Sequence, residues 1–226
     1  MGIAAHIADR NLNPCSIERS LRRPMNLAIR QPLWNLVQNV LGCPDFKRKL
    51  YRSILRPPGR LLDFGCANGH IAEVFLEFDY YGIDTNLGAI NAAKEEFKAH
   101  SNAKFIAADI HSRPYEANFF DEILLAGTAH HLTDELFVSI LRELHYCLKP
   151  GKAIHLLDPV LQEKDGWQPK LMRRLDRGRH TRNLNQFMAL IDSLEVFDVG
   201  EPTFHTPFGS PIQECDFVYL PLRKQP

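Results

Sequence analysis

The sequence predicts an α/β chain: a doubly wound, seven-stranded, mostly parallel sheet with an antiparallel last strand and an N-terminal helical cap. Three observations lead there. Between Arg60 and Leu157, short apolar runs alternate with stretches of helical period, the pattern of βαβ units whose parallel strands are covered on both faces. Two later apolar runs, Glu195–Val199 and Gln213–Leu222, follow each other with no helix between them, as antiparallel neighbours do. Ahead of all this, Leu33, Leu36, Val37, Val40 and Leu41 fall on one face of a helix. The expected division is residues 1–56 for an N-terminal segment and helical cap or lid, and residues 57–226 for the sheet domain.

Each element follows from local chemistry. Pro32 suits the first turn of the cap helix and Gly42 its end. A second helix is expected from Asp45 to Leu55, stopped by Pro57-Pro58-Gly59. Arg60–Phe64 reads as the first strand, ending in Gly65-Cys66-Ala67-Asn68-Gly69, and Ile71, Val74, Phe75 and Phe78 suggest a helix after it. Tyr80–Asp84 is the second strand, Leu87–Ala99 a helix, and Lys104–Ala108 the third strand, closed by Asp109. Phe119–Ala126 is the fourth strand. Thr133–Leu148 is a long helix with Thr133 as its N-cap, and after Lys149-Pro150-Gly151 comes a fifth strand, Ala153–Leu157. Leu184–Ser193 is the last helix.

Composition removes several function classes. The 226 residues carry 27 Lys+Arg against 27 Asp+Glu, so no net charge draws the chain to nucleic acid or anionic lipid. Hydrophobic residues at 45% and charged residues at 24% are globular values. The five cysteines are widely spaced without a CxxC pair, which predicts reduced thiols and no metal site. No run reaches the roughly 18 apolar residues of a membrane span. The first residues lack the apolar core of a secretory signal, and His6 stands where a myristoylation motif wants Ser or Thr. A cytoplasmic protein acting on a small molecule, without nucleic-acid partners or membrane insertion, is the expectation.

Open parallel sheets bind ligands at the carboxyl ends of their strands, where the strand order reverses. The turn after the first strand is therefore informative. Gly65 and Gly69 permit close backbone approach, and Asp84 ends the next strand about 20 residues on, where ribose hydroxyls need an acceptor. Asp109 ends the third strand within reach of an adenine edge. The dinucleotide fingerprint GxGxxG fails, because Ala67 and His70 stand at its second and third glycine positions. That disfavours a nicotinamide oxidoreductase, and no Gly-Lys-Ser/Thr loop for nucleoside triphosphates is present. An acid in the loop, Asp63, repels phosphate and attracts an α-ammonium.

These segments resemble the class I S-adenosylmethionine-dependent methyltransferases. Leu61-Leu62-Asp63-Phe64-Gly65-Cys66-Ala67-Asn68-Gly69 is similar to their motif I, Tyr81-Gly82-Ile83-Asp84 to motif II, and Ala107-Ala108-Asp109-Ile110 to motif III. Phe120–Ala126 and Leu148-Lys149-Pro150-Gly151-Lys152 resemble the fourth strand and the turn before the fifth. The resemblance spans about residues 55–160 and departs at Ala67, where the family has glycine. It implies S-adenosyl-L-methionine as cofactor. Asp63 and the Gly65–Gly69 backbone, with Cys66 and Ala67, would hold the methionine moiety. Asp84 would hold the ribose, with Thr85 and Asn86 beside it. Asp109 and Ile110 would flank the adenine, and Ala126 and Gly127 the sulfonium.

The acceptor side is less marked. His130 and His131 follow the fourth strand at the mouth of that pocket and are candidate general bases, with packing as the alternative role. Between Lys170 and Arg182, seven basic residues face one acid, Asp176. Arg177, Arg179 and His180 from this run are candidate ligands for an acidic acceptor, against the alternative of a solvated basic face. Trp34, with Gln31, is the lid candidate on the cap helix. The Asn/Asp-Pro-Pro-Tyr/Phe signature of base methylation is absent after the fourth strand. The expected reaction is methyl transfer to a small organic acceptor, oxygen first, with nitrogen or carbon as alternatives. The rival is a relative that binds the same cofactor and decarboxylates, cyclises or regulates.

Overall fold

The computed structural model describes residues 43–163, 165–167, 170, 179–206 and 216–226, all within one compact unit, Asn39–Pro226. The expected cap helix around Leu33–Leu41, with Gln31 and Trp34, lies outside the described residues, as does Arg177. Helix α1 (Cys43–Ile54) leads into β1 (Arg60–Phe64), a 3-10 turn (Ala72–Phe75), β2 (Asp79–Asp84), α2 (Leu87–Glu96) and β3 (Ala103–Ala107). Next come β4 (Phe120–Ala126), α3 (Asp134–Cys147), β5 (Leu148–Pro159), α4 (Leu184–Asp192), β6 (Phe197–Val199), β7 (Thr203–His205) and β8 (Phe217–Lys224).

The strand order is β3-β2-β1-β4-β5-β8-β6, with β7 also on β8. Strands β1 to β5 run parallel, and β8 enters antiparallel to β5. The order reverses between β1 and β4, which puts the ligand crevice at the carboxyl ends of these two strands. Eight strands occupy seven positions. β6 pairs Val199 with Leu222 and β7 pairs Thr203 with Tyr219, so the register slips by one residue along one edge.

Side chains alternate between two cores. Leu62, Ile123, Leu125, Ile154 and Leu156 face α3 and α4, while Leu61, Leu124 and Leu157 face the layer containing α1 and α2. On α3, the buried Phe137, Ile140, Leu141 and Leu144 fall at helical spacing, and the Thr133 side chain caps its start by accepting from Leu136 N–H. An Asn183/Gln186 capping box opens α4, which buries Phe187 and Ile191. Helix α1 adds Leu50 and Tyr51 to the second core.

Three local expectations change. The helix expected after β1 is a 3-10 turn, and its buried residues Ala72 and Phe75, with Phe78 just beyond it, recur every third position, the period of that turn. Strand β5 begins at Leu148 rather than Ala153. Leu148 already pairs with Phe120, and Lys149–Lys152 bulge before Ala153 pairs with Glu122. Strand β6 begins at Phe197 rather than Glu195, because Glu195 takes φ +53° in the turn that ends α4.

Candidate active site at the carboxyl ends of the strands

The β1 turn is built by close packing. Gly65 has φ +78°, and a Cβ there would stand 2.4 Å from Thr128 Oγ1. Its N–H and that of Cys66 both donate to Ile83 O, at 2.8 and 3.2 Å, clamping the turn onto β2. Gly82 is required beneath it, since a Cβ would meet Cys66 Sγ and Phe105 Cδ1, each at 2.8 Å. Ala67 adopts φ +49°, a left-handed conformation that costs an L-residue about 1 kcal/mol.

Asp63, one residue before the end of β1, is a buried carboxylate, and Tyr80 Oη donates to its Oδ2 at 2.8 Å. Burial pushes its pKa up to about 6; the Tyr80 hydroxyl and Lys47 oppose the rise, and Asp84 adds to it. Half-buried Asp84 is oriented by two backbone donors. Ala67 N–H reaches its Oδ2 at 3.0 Å and Asn86 N–H its Oδ1 at 2.8 Å. Each oxygen keeps a further lone pair, which suits a vicinal diol. Asn86 itself caps α2, accepting from Ala89 N–H, and Thr85 is exposed beside it.

Asp109 caps a 3-10 turn (Ile110–Ser112) and is engaged by His111, whose N–H and Nδ1 lie 2.9 and 2.8 Å from its Oδ1. Partial burial raises its pKa, but the His111 contacts outweigh that and hold it below the usual carboxylate range. Ile110 is buried next to it. Gly127 follows Ala126 with φ +61°, and its N–H donates to Leu157 O at 2.8 Å. Thus Asp63, Cys66, Ala67, Gly69, Asp84, Asp109, Ala126 and Gly127 gather around the carboxyl ends of β1 to β4. Acids for an ammonium and a diol, on a turn that admits close approach, fit S-adenosyl-L-methionine.

The two histidines separate. His130 is buried, and its Nδ1 lies 3.0 and 3.1 Å from the two oxygens of Asp158, a fully buried carboxylate on β5 that also accepts from Ala129 N–H at 3.1 Å. A carboxylate only accepts, so this contact puts the proton on Nδ1 and makes Nε2 the basic nitrogen of the neutral ring. His131 is exposed, its ring centroid 4.1 Å from that of His130.

Of the basic run, Arg179 is exposed, and half-buried His180 donates its backbone N–H to His130 O at 3.0 Å. Arg182 is buried and structural. Its guanidinium donates to Ala129 O at 2.9 Å, Leu132 O at 2.8 Å and Asp134 Oδ1 at 2.7 Å, while stacking over Phe137.

Sequence reasoning missed Asp158, His111, Tyr80 and Lys47. Asp158 had a usable signal, since it stands within a residue of the end of β5 as Asp63, Asp84 and Asp109 stand at or beside the ends of theirs. Lys47 had none. It lies on α1, with its Nζ 3.8 Å from where a Cβ on Gly127 would stand.

Comparison with known proteins bears on the domain and the fold. The methyltransferase-domain family matches residues 61–151. A ubiquinone/menaquinone biosynthesis C-methyltransferase, UbiE, of Coxiella burnetii is 23% identical over 181 residues, covering 74% of this chain and 71% of the relative. A methyltransferase from Methanosarcina mazei superposes with a TM-score of 0.63 at 17% identity, over 78% of this chain and 98% of that one. The [4+2]-cyclase SpnF superposes with a TM-score of 0.64 at 17% identity, over 80% and 81% of the two chains.

Proposed function

Because the chain is a class I S-adenosylmethionine-dependent methyltransferase, we propose that it methylates a small organic acceptor that loses a proton in the reaction, a hydroxyl first and an acidic carbon or nitrogen otherwise. The Asp158–His130 pair carries this reading. A buried carboxylate that fixes the tautomer of a histidine at the end of β4 prepares Nε2 to take a proton.

S-adenosyl-L-methionine supplies an electrophilic methyl on a sulfonium. The chain's own residues then have separable duties. Asp63 and the turn Gly65, Cys66, Ala67 and Gly69 hold the methionine end. Asp84, Thr85 and Asn86 hold the ribose, Asp109 and Ile110 flank the adenine, and Ala126 and Gly127 face the sulfur. His130 accepts the acceptor's proton, Asp158 stabilises the resulting imidazolium, and the remaining barrier reduction comes from alignment. His131 and the His180 backbone adjoin His130, and Arg179, next to His180 in sequence, suits an acceptor bearing a carboxylate or phosphate. Balanced charge supports a small molecule rather than nucleic acid, in a cytoplasmic setting; among the described residues no helix is long and apolar enough to cross a membrane.

The test pairs purified protein and cofactor with cell extract, followed by untargeted mass spectrometry for a product one methylene heavier and by assay of S-adenosylhomocysteine. His130→Asn is expected to lower turnover by roughly 10²-fold or more with cofactor affinity unchanged. Fold likeness to a cyclase gives the second reading its content. Product formation without S-adenosylhomocysteine would replace methyl transfer by a rearrangement on the same scaffold.

A further inference from the structure

Lys47 is a half-buried ammonium whose partners do not account for it. Helix α1 is seated by Phe46, whose ring lies 6.1 Å from those of both Phe217 and His205, at the start of β8 and the end of β7. That seating directs Lys47 toward the carboxyl ends of the central strands. Its Nζ stands 5.8 Å from the Phe217 ring centroid and 3.8 Å from the Cβ position of Gly127. It also acts electrostatically on Asp63, across the crevice on β1.

Among the described residues no carboxylate forms an ion pair with it. The acids near α1 are committed elsewhere, since Arg48 takes both Asp45 at 3.0 Å and Glu73 at 2.8 Å. A partly desolvated cation without a counter-charge is unfavourable on its own and becomes favourable when an anion arrives. The location limits which anion. A cation on one side and the Asp63 carboxylate on the other make a dipolar slot, complementary to a zwitterion and not to a phosphate, which Asp63 would repel.

We propose that Lys47 binds the α-carboxylate of the cofactor's methionine moiety while Asp63 takes its α-ammonium. The inference rests on the cofactor assignment above and adds a residue from the N-terminal segment to the cofactor site.

Calorimetry with two ligands tests this. S-adenosylhomocysteine carries the amino-acid end, and 5′-methylthioadenosine keeps the nucleoside and sulfur but lacks it. Lys47→Gln should weaken S-adenosylhomocysteine by about tenfold or more, the effect of losing a charged hydrogen bond, and leave methylthioadenosine within about twofold. Lys47→Arg should retain most of the affinity, and the wild-type preference for S-adenosylhomocysteine should shrink as salt rises. Equal losses for both ligands in Lys47→Gln, or none for S-adenosylhomocysteine, would overturn the assignment. Should the wild-type protein bind neither ligand, the cofactor site itself has been misread, and Lys47 with it.

Discussion

Arg182 reaches Asp134 at 2.7 Å across 48 positions of sequence, and by doing so ties the segment before α4 to the first turn of α3. The same guanidinium takes Ala129 O and Leu132 O, the carbonyls that flank the two histidines. The ion pair itself is minor, because Asp134 is largely solvated. The buried carbonyls matter more. Arg182→Met should cost about 2–4 kcal/mol in denaturant unfolding, chiefly from acceptors left unsatisfied, and turnover should fall with cofactor affinity nearly intact. Asp134→Ala should cost under about 1 kcal/mol.

Asp63 ties function to pH. Its folded pKa lies near 6, above an ordinary 3.8, so the fold prefers it neutral. The stability it contributes is full below the unfolded pKa and is lost as pH rises through about 6. Cofactor binding wants the opposite form, because a neutral acid cannot pair with an ammonium. Affinity should therefore drop as pH falls through about 6. Calorimetry in buffers of different ionisation enthalpy should detect proton release on binding there and little above about pH 8. Asp63→Asn should make the ligand-free protein more stable at neutral pH and the cofactor weaker, a stability–function trade.

Ala67→Gly removes the left-handed strain at φ +49°. A gain of about 0.5–1 kcal/mol is expected in thermal or denaturant unfolding, reduced by the greater freedom of glycine in the unfolded chain. The Asp84 contact uses the backbone N–H and survives, so cofactor affinity should hold or improve.

Asp84→Ala should weaken S-adenosylhomocysteine by about 1.5–3 kcal/mol, losing the acceptor for the ribose hydroxyls and the anchor of Ala67 N–H. Unchanged affinity would remove Asp84 from the site.

Arg179→Ala tests the acceptor's charge. For an acidic acceptor its Michaelis constant should rise severalfold while cofactor affinity stays put. Equal kinetics in parent and variant would leave Arg179 a solvated cation and favour a neutral acceptor.

The sheet was legible because parallel strands carry their own markers: apolar runs between Arg60 and Leu157, each closed by a turn residue or an acid. The glycine turn was legible from its spacing after the first strand, although the contacts that require Gly65 and Gly82, to Thr128 and to Cys66 and Phe105, are tertiary. Asp158 carried only the strand-end signal it shares with the other acids, and its role follows from His130, whose Nδ1 lies 3.0 Å from it. Lys47 depends on tertiary packing alone. On α1 it looks like any solvated helix lysine, and the packing of Phe46 against Phe217 and His205 turns it inward. Arg182 shows the converse. It lay within a basic run read for ligand binding, yet burial against Phe137 and two carbonyls gives it a structural duty.

Strand β8 lies between β5 and β6, although both are synthesised before it. At ribosomal rates the stretch from Pro159 to Phe217 takes roughly 3–12 s to emerge. During that interval the outer backbone edge of β5, flanked by Ile154, Leu156 and Leu157, has no mate. An open apolar edge can recruit strands from other nascent chains. Its rival is the chain's own last strand, so the yield of native protein depends on how fast translation delivers that strand and on whether a chaperone covers the edge meanwhile.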